Sequence, residues 1–197
     1  MFQVRIHGRG GQGVVTGAEM LSIAAFLEGH HAQAFPSFGS ERTGAPVVAF
    51  CRISDREIRL REPVMQPDAL IIQDTTLLLT VDVFAGLAED GYVILNTKHS
   101  LEELGLSQYA KRFKPGRVVS VPATELALKH VGRAVPNVPL LGAFAAASGM
   151  LKLDAVVSAI NDKFSGKIAA ANVAAATEAY EAALAARPQQ NQEAAHA

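Results

Sequence analysis

A single cysteine, Cys51, and no tryptophan stand among 197 residues. One thiol closes no disulfide and holds no iron–sulfur cluster, so any redox metal has to come from another chain. Cys51 lies in the apolar run Val47 to Ile53, where a thiol reads as a buried strand residue rather than a reactive one. The six histidines, His7, His30, His31, His99, His130 and His196, form no metal-site spacing, and neither a G-x-S-x-G elbow nor a Walker lysine motif occurs. A net charge of −1 gives no electrostatic reason to expect nucleic acid or an anionic membrane. The longest uncharged stretch, Ala134 to Leu151, is interrupted by Pro136, Asn137, Pro139 and two glycines. A basic N-terminal region followed by an apolar core is also lacking, and the expectation is a cytoplasmic chain that spans no membrane.

What is present is the composition of a globular protein, 49% apolar and 19% charged. The length suits one substantial domain, here residues 1–187, followed by a flexible tail over 188–197 without apolar periodicity. Phe2 to Ile6 alternates as a strand, and Val14, Ala18, Leu21 and Ala25 share one face of a helix from about Gly13 to Leu27. His31 to Pro36 reads as a second strand. Val47 to Ile53 and Glu57 to Arg61 read as two further strands in an antiparallel hairpin. Beyond them the pattern predicts a strand at Ala69 to Gln73, a helix from about Thr76 to Leu87, and strands at Tyr92 to Leu95 and Arg117 to Val121. Helices are predicted at Ala123 to Val131, Leu140 to Leu151, Asp154 to Phe164 and Ala169 to Arg187. The order predicts an α/β fold: a Rossmann-like, open, mainly parallel sheet with one antiparallel hairpin, helices on both faces and a helical C-terminal third.

Gly8-Arg9-Gly10-Gly11-Gln12-Gly13 sits at the first strand-to-helix junction. Gly8, Gly10 and Gly13 fit the G-x-G-x-x-G spacing, which lets backbone N–H groups approach a phosphate while the following helix adds partial positive charge. The plain alternative is a tight turn with close helix packing. A dinucleotide site would add an Asp or Glu about 20 residues on. Gly29 to Ser40 holds no acidic residue, which argues against NAD.

A second candidate is Ser40-Glu41-Arg42-Thr43-Gly44, which would lie near the glycine turn if the second strand were beside and parallel to the first. Arg42 offers a fork of donors, Ser40 and Thr43 offer hydroxyls, and Gly44 permits an unusual turn; an internal Glu41–Arg42 network is the plain alternative. Lys98, in Asn96-Thr97-Lys98-His99 after a strand end, could meet a phosphate, or could be a solvated lysine beside a helix cap. His7 closes the first strand and reads as a hydrogen-bonded structural residue. His30-His31 reads as a solvated turn.

Three segments taken in order, Gly8 to Gly13, Phe35-Pro36-Ser37-Phe38-Gly39-Ser40-Glu41-Arg42-Thr43-Gly44-Ala45-Pro46-Val47, and Pro136-Asn137-Val138-Pro139-Leu140-Leu141-Gly142-Ala143, give the chain its likeness. From about Met1 to Arg187 it resembles the gamma subunit of the 2-oxoacid:ferredoxin oxidoreductases, the pyruvate:ferredoxin oxidoreductase family. The resemblance implies an enzyme that oxidatively decarboxylates a 2-oxoacid and passes the acyl group to coenzyme A, using thiamine diphosphate, Mg²⁺ and [4Fe-4S] clusters held mostly on other subunits. Pyruvate is the default substrate, with aryl 2-oxoacids such as phenylglyoxylate open. The implied partners are alpha, beta and delta-type subunits, with ferredoxin as acceptor, or NAD through a flavin subunit. By the same resemblance Gly8, Gly10, Gly11, Gln12 and Gly13 cradle coenzyme A, while Ser40, Glu41, Arg42, Thr43 and Gly44 face the same cleft or a neighbouring subunit. The alternative class is a stand-alone nucleotide-binding or regulatory module.

Overall fold

The computed structural model describes residues 1–37 and 43–186. Strand β1 spans Phe2–Arg9, helix α1 Val14–Leu27, β2 His31–Pro36, β3 Pro46–Ser54 and β4 Ala69–Ile72. A 3-10 turn at Thr75–Leu79 precedes β5, Tyr92–Asn96, helix α2, Ser107–Ala110, and β6, Val118–Val121. Helices α3, Ala123–Val131, α4, Asn137–Ser148, α5, Leu153–Lys163, and α6, Gly166–Ala185, complete the described chain. None of the described helices is long and apolar enough to cross a membrane.

The strands form one sheet in the order β2-β3-β1-β4-β5-β6. β1, β4, β5 and β6 run parallel, and β3 runs antiparallel to both β1 and β2. The fold is α/β as its alternation predicts. From β1 the chain goes by α1 to one side of the sheet, and β4 lies on the other. The carboxyl ends of β1 and β4 therefore flank the switch point where open α/β sheets bind ligands.

Alternation along each strand divides the core in two. Val4, Ile6, Ala49, Cys51, Ile71 and Ile94 face the side covered by α1 and α3 to α6. Leu70, Ile72, Val93 and Leu95 face the side covered by the 3-10 turn and the region around α2, with Leu77, Phe84 and Phe113. On the first side α4 is buried along almost its whole length, from Asn137 to Ala147. Its apolar sequence lacks the polar stripe of a surface helix, and this matches a position between the sheet and α6. Gly142 makes that contact possible, because a Cβ there would stand 2.0 Å from the Ala176 carbonyl oxygen.

Several sequence expectations are corrected. β3 pairs antiparallel with β2 and β1; its expected partner, Glu57 to Arg61, forms no strand. The buried Arg52 guanidinium takes the Glu62 carbonyl at 2.5 Å and reaches the Leu60 carbonyl at 3.5 Å, so a side chain anchors this segment in place of a backbone ladder. The helix expected over 76–87 is only the 3-10 turn and further turns. Arg5 donates to the carbonyls of Val83 at 3.0 Å and Ala85 at 2.6 Å, which diverts acceptors a helix would use. β2 has the direction of β1 but is separated from it by β3. β1 runs to Arg9 because the start of β3 continues the ladder, Gly8 opposite Val47 and Arg9 opposite Pro46.

Candidate functional site

The glycine turn leaves β1 at the switch point, and its glycines have separate physical reasons. A Cβ on Gly8 would meet Val14 Cγ2 at 2.6 Å and the side-chain oxygens of Gln12 and Gln73 at 3.0 Å, so Gly8 lets α1 fold back against the strand. Gly13 takes a left-handed φ of 71° at the N-cap of α1, and a Cβ there would stand 2.5 Å from Asn137 Nδ2. The Asn137 amide donates to the Gly13 carbonyl at 3.2 Å, tying α4 to the turn. Among the described residues nothing lies within 4 Å of where a Cβ on Gly11, at φ 94°, would be. With respect to the described residues it is the turn's open face.

Helix α1 begins without a side-chain cap and without an acidic residue in its first turn. A 14-residue helix thus presents its positive end at the mouth of the turn with no carboxylate of its own to offset it. Gly10 is engaged within the protein: its amide donates to the Ala45 carbonyl at 2.9 Å and its carbonyl accepts from the Gly44 amide at 3.1 Å. Gln12 also turns inward. Its Oε1 accepts from the Arg9 amide at 2.8 Å and its Nε2 donates to Asp74 Oδ2 at 3.0 Å.

The residues just before β3 meet the turn by a pairing other than the one expected. β2 is not the neighbour of β1, yet the residues entering β3 come back alongside the turn, with Thr43 bridged to Gly10. Arg9 donates to the Gly44 carbonyl at 3.0 Å. Thr43 and Gly44 therefore adjoin the glycine turn, whereas Ser40, Glu41 and Arg42 lie outside the described residues. Lys98 follows β5 and is paired with Glu125 of α3 at 3.3 Å, both exposed. That contact directs it toward α3.

Gln73 and Asp74, which sequence reasoning passed over, complete the strand-end rim together with Asn96 of the segment already noted after β5. Asp74, directly after β4, caps the 3-10 turn through the Thr76 amide at 3.0 Å and stands 3.2 Å from Arg9 Nε. Burial alone would raise the Asp74 carboxyl, but hydrogen bonds from Thr76 and Gln12 and the Arg9 charge outweigh it and hold the group below its ordinary 3.8. Gln73 is buried under Gly8, and Asn96 joins its carbonyl at 2.7 Å to the Thr124 hydroxyl at 2.8 Å. The Asp74-Thr75-Thr76 run after an apolar strand is a helix-cap signature that could have marked this loop.

His7 is structural, as its position suggests. Its Nε2 accepts from Arg5 Nε at 3.0 Å, and burial, followed by the Arg5 charge, pushes it down to about 3, so the ring is neutral. Burial pushes the Cys51 thiol up to about 12, outside the range of a reactive thiolate. Among the described residues no group of three or more His, Cys, Asp or Glu could hold a metal ion. The donor set of this chain does not fit an iron–sulfur cluster.

A family model described as pyruvate ferredoxin/flavodoxin oxidoreductase matches residues 3–182. The pyruvate/ketoisovalerate oxidoreductases common subunit gamma of Pyrococcus abyssi is 49% identical over 181 residues, covering 92% of this chain and 96% of that one. The pyruvate synthase subunit PorC of Methanosarcina barkeri is 51% identical over 160 residues, covering 81% and 85%. Among solved structures, the pyruvate oxidoreductase subunit PORC of Thermotoga maritima is 36% identical with a TM-score of 0.76, covering 91% of this chain and 95% of that one. With the switch-point turn, the mixed six-stranded sheet and these likenesses along nearly its whole length, the chain belongs to the pyruvate ferredoxin/flavodoxin oxidoreductase family, as a gamma subunit.

Proposed function

We propose that this subunit forms the coenzyme A-holding wall of a multi-subunit 2-oxoacid oxidoreductase. That enzyme releases CO₂ from a 2-oxoacid and joins the remaining acyl group to the thiol of coenzyme A. Pyruvate is the substrate the closest reading favours, and the electrons pass to ferredoxin. Residues 1–187 act as one unit of that assembly. Thiamine diphosphate, Mg²⁺ and the iron–sulfur clusters belong to the companion alpha, beta and delta-type chains, and the chemistry at the 2-oxo carbon takes place there.

The observation that carries the proposal is the uncapped start of α1 behind Gly11 and Gly13, at the switch point between β1 and β4. Coenzyme A is a polyanion, and a helix N-terminus approached over glycine is suited to its phosphates. Its thiol then reaches across to a reacting centre housed by a partner. Within this chain the work is binding and orientation: Gly11 leaves the approach free, and the amides of Val14 to Thr16 point along the helix axis toward the anion.

The test is the assembled enzyme carrying Gly11→Val. A side chain there enters the open space of the approach and forces a β-branched residue to a positive φ, which costs on the order of 1–3 kcal/mol. The Michaelis constant for coenzyme A rises about tenfold or more, while that for the 2-oxoacid stays within twofold. Unaltered coenzyme A kinetics in a fully assembled Gly11→Val enzyme would remove the turn from the site.

A further inference from the structure

We propose that Asp74 is the positioning residue of the glycine turn: one carboxylate at the head of the 3-10 turn sets the shape of residues 9–13 and of loop 43–46 together, acting through Gln12 and Arg9. The inference rests on the coenzyme A-binding reading above and adds a residue to it.

A turn containing Gly10, Gly11 and Gly13 has little conformational preference of its own, because glycine populates both signs of φ. Its geometry has to be imposed from outside. Both Asp74 oxygens are committed to this. Oδ2 accepts from Gln12 Nε2 at 3.0 Å and lies 3.2 Å from Arg9 Nε. Oδ1 accepts from the Thr76 amide at 3.0 Å and the Thr76 hydroxyl at 2.5 Å. The same hydroxyl accepts from Arg9 Nη2 at 2.8 Å, so Asp74 and Thr76 together fix the plane of the guanidinium.

Each arm then reaches backbone. Through Gln12 the restraint passes to the Arg9 amide, 2.8 Å from Oε1. Through Arg9 it passes to the Gly44 carbonyl at 3.0 Å, and Gly44 and Ala45 close on Gly10 at 3.1 and 2.9 Å. Three connections, after β1, before β3 and after β4, are thereby locked around one partly covered carboxylate. An isolated surface ion pair contributes little; this one belongs to a closed network whose members hold a turn that cannot hold itself. Preorganisation of the turn removes an ordering cost from ligand binding.

Asp74→Asn separates the brace from the cap. Asparagine still caps the 3-10 turn with its oxygen, but its NH₂ group then faces the donors of Gln12 and Arg9. In the assembled enzyme without coenzyme A, hydrogen exchange at the Gly10 and Gly44 amides rises on the order of tenfold. The dissociation constant for coenzyme A, read by calorimetry, weakens about tenfold, and the Michaelis constant for the 2-oxoacid is unaltered. Arg9→Gln, at a part-exposed position, keeps the cap and the Gln12 contact and shows the same changes to a smaller degree; it decides the matter if Asp74→Asn fails to assemble. Unchanged exchange at both amides, or loosened amides with unchanged coenzyme A affinity, overturns the positioning role. The Gly11→Val enzyme separates the two readings: if it binds coenzyme A normally, the site itself is wrong, whereas weak binding there with normal binding in both brace variants refutes Asp74 alone.

Discussion

Gly11 and Gly13 share a left-handed backbone and differ in what a side chain would encounter, so their alanine variants should fail differently. Gly11→Ala meets open space and bears only the conformational cost, about 1 kcal/mol. Gly13→Ala bears that cost and also meets Asn137 at 2.5 Å, for a loss of about 2–3 kcal/mol. Chemical unfolding of the full chain reads both, and in an Asn137→Ala background the Gly13→Ala loss should fall toward that of Gly11→Ala. An equal loss in both backgrounds would deny the steric contact. The glycine spacing was legible in the sequence because it is local. Gln73, Asp74 and Asn137 were not, because what gives them meaning is distant: Asp74 meets Gln12 across 62 residues, and Asn137 meets Gly13 across 124. Lys98 was legible as a strand-end cation, and its pairing with Glu125 depends on where α3 starts.

Among elements, the closest constraint lies between α4 and α6. Gly142→Ala would place a Cβ 2.0 Å from the Ala176 carbonyl oxygen, backbone against backbone, and the helices must move apart. A loss of about 3 kcal/mol or more is expected by urea unfolding, larger than that of Gly13→Ala, whose obstacle is a side chain able to shift. A second junction, α3 to α6, is polar: Glu178 accepts from Lys129 at 2.8 Å and lies 2.6 Å from His130 Nε2. Hydrogen bonds from Lys129 and then His130 hold its carboxyl below the ordinary 4.5. A depressed carboxylate adds stability above its unfolded value and loses it as pH falls through the folded one. Glu178→Gln should therefore narrow the gap in stability between neutral pH and acid below 4.5, measured by thermal unfolding at each pH; an acid limb equal to that of the parent would rule the junction out. At this scale α1, β4 to β6 and the C-terminal helices were legible, α4 from an apolar run and α6 from its alanines rather than from a polar stripe. It misled at 57–61 and 76–87, where the buried guanidinium groups of Arg52 and Arg5 take backbone carbonyls that a strand or helix would have used. No periodicity announces a capture of that kind.

For the whole molecule, the sheet order and the family likeness give a subunit whose polar rim is concentrated at one edge, the carboxyl ends of β1, β4 and β5. Away from it, the described residues hold two apolar cores separated by the sheet, a buried thiol, and no cluster fit for a metal. The proposed function predicts no turnover by this chain alone and activity restored when its companion subunits are added. The central claim is that coenzyme A meets this subunit at the glycine turn. Its most direct measurement is amide hydrogen exchange of the intact enzyme, peptide by peptide, with and without coenzyme A. The account predicts slowed exchange over residues 11–16 on adding coenzyme A, with α5 and α6 unaffected; exchange over residues 8–17 that is identical in both states, with protection confined to the other subunits, would contradict it.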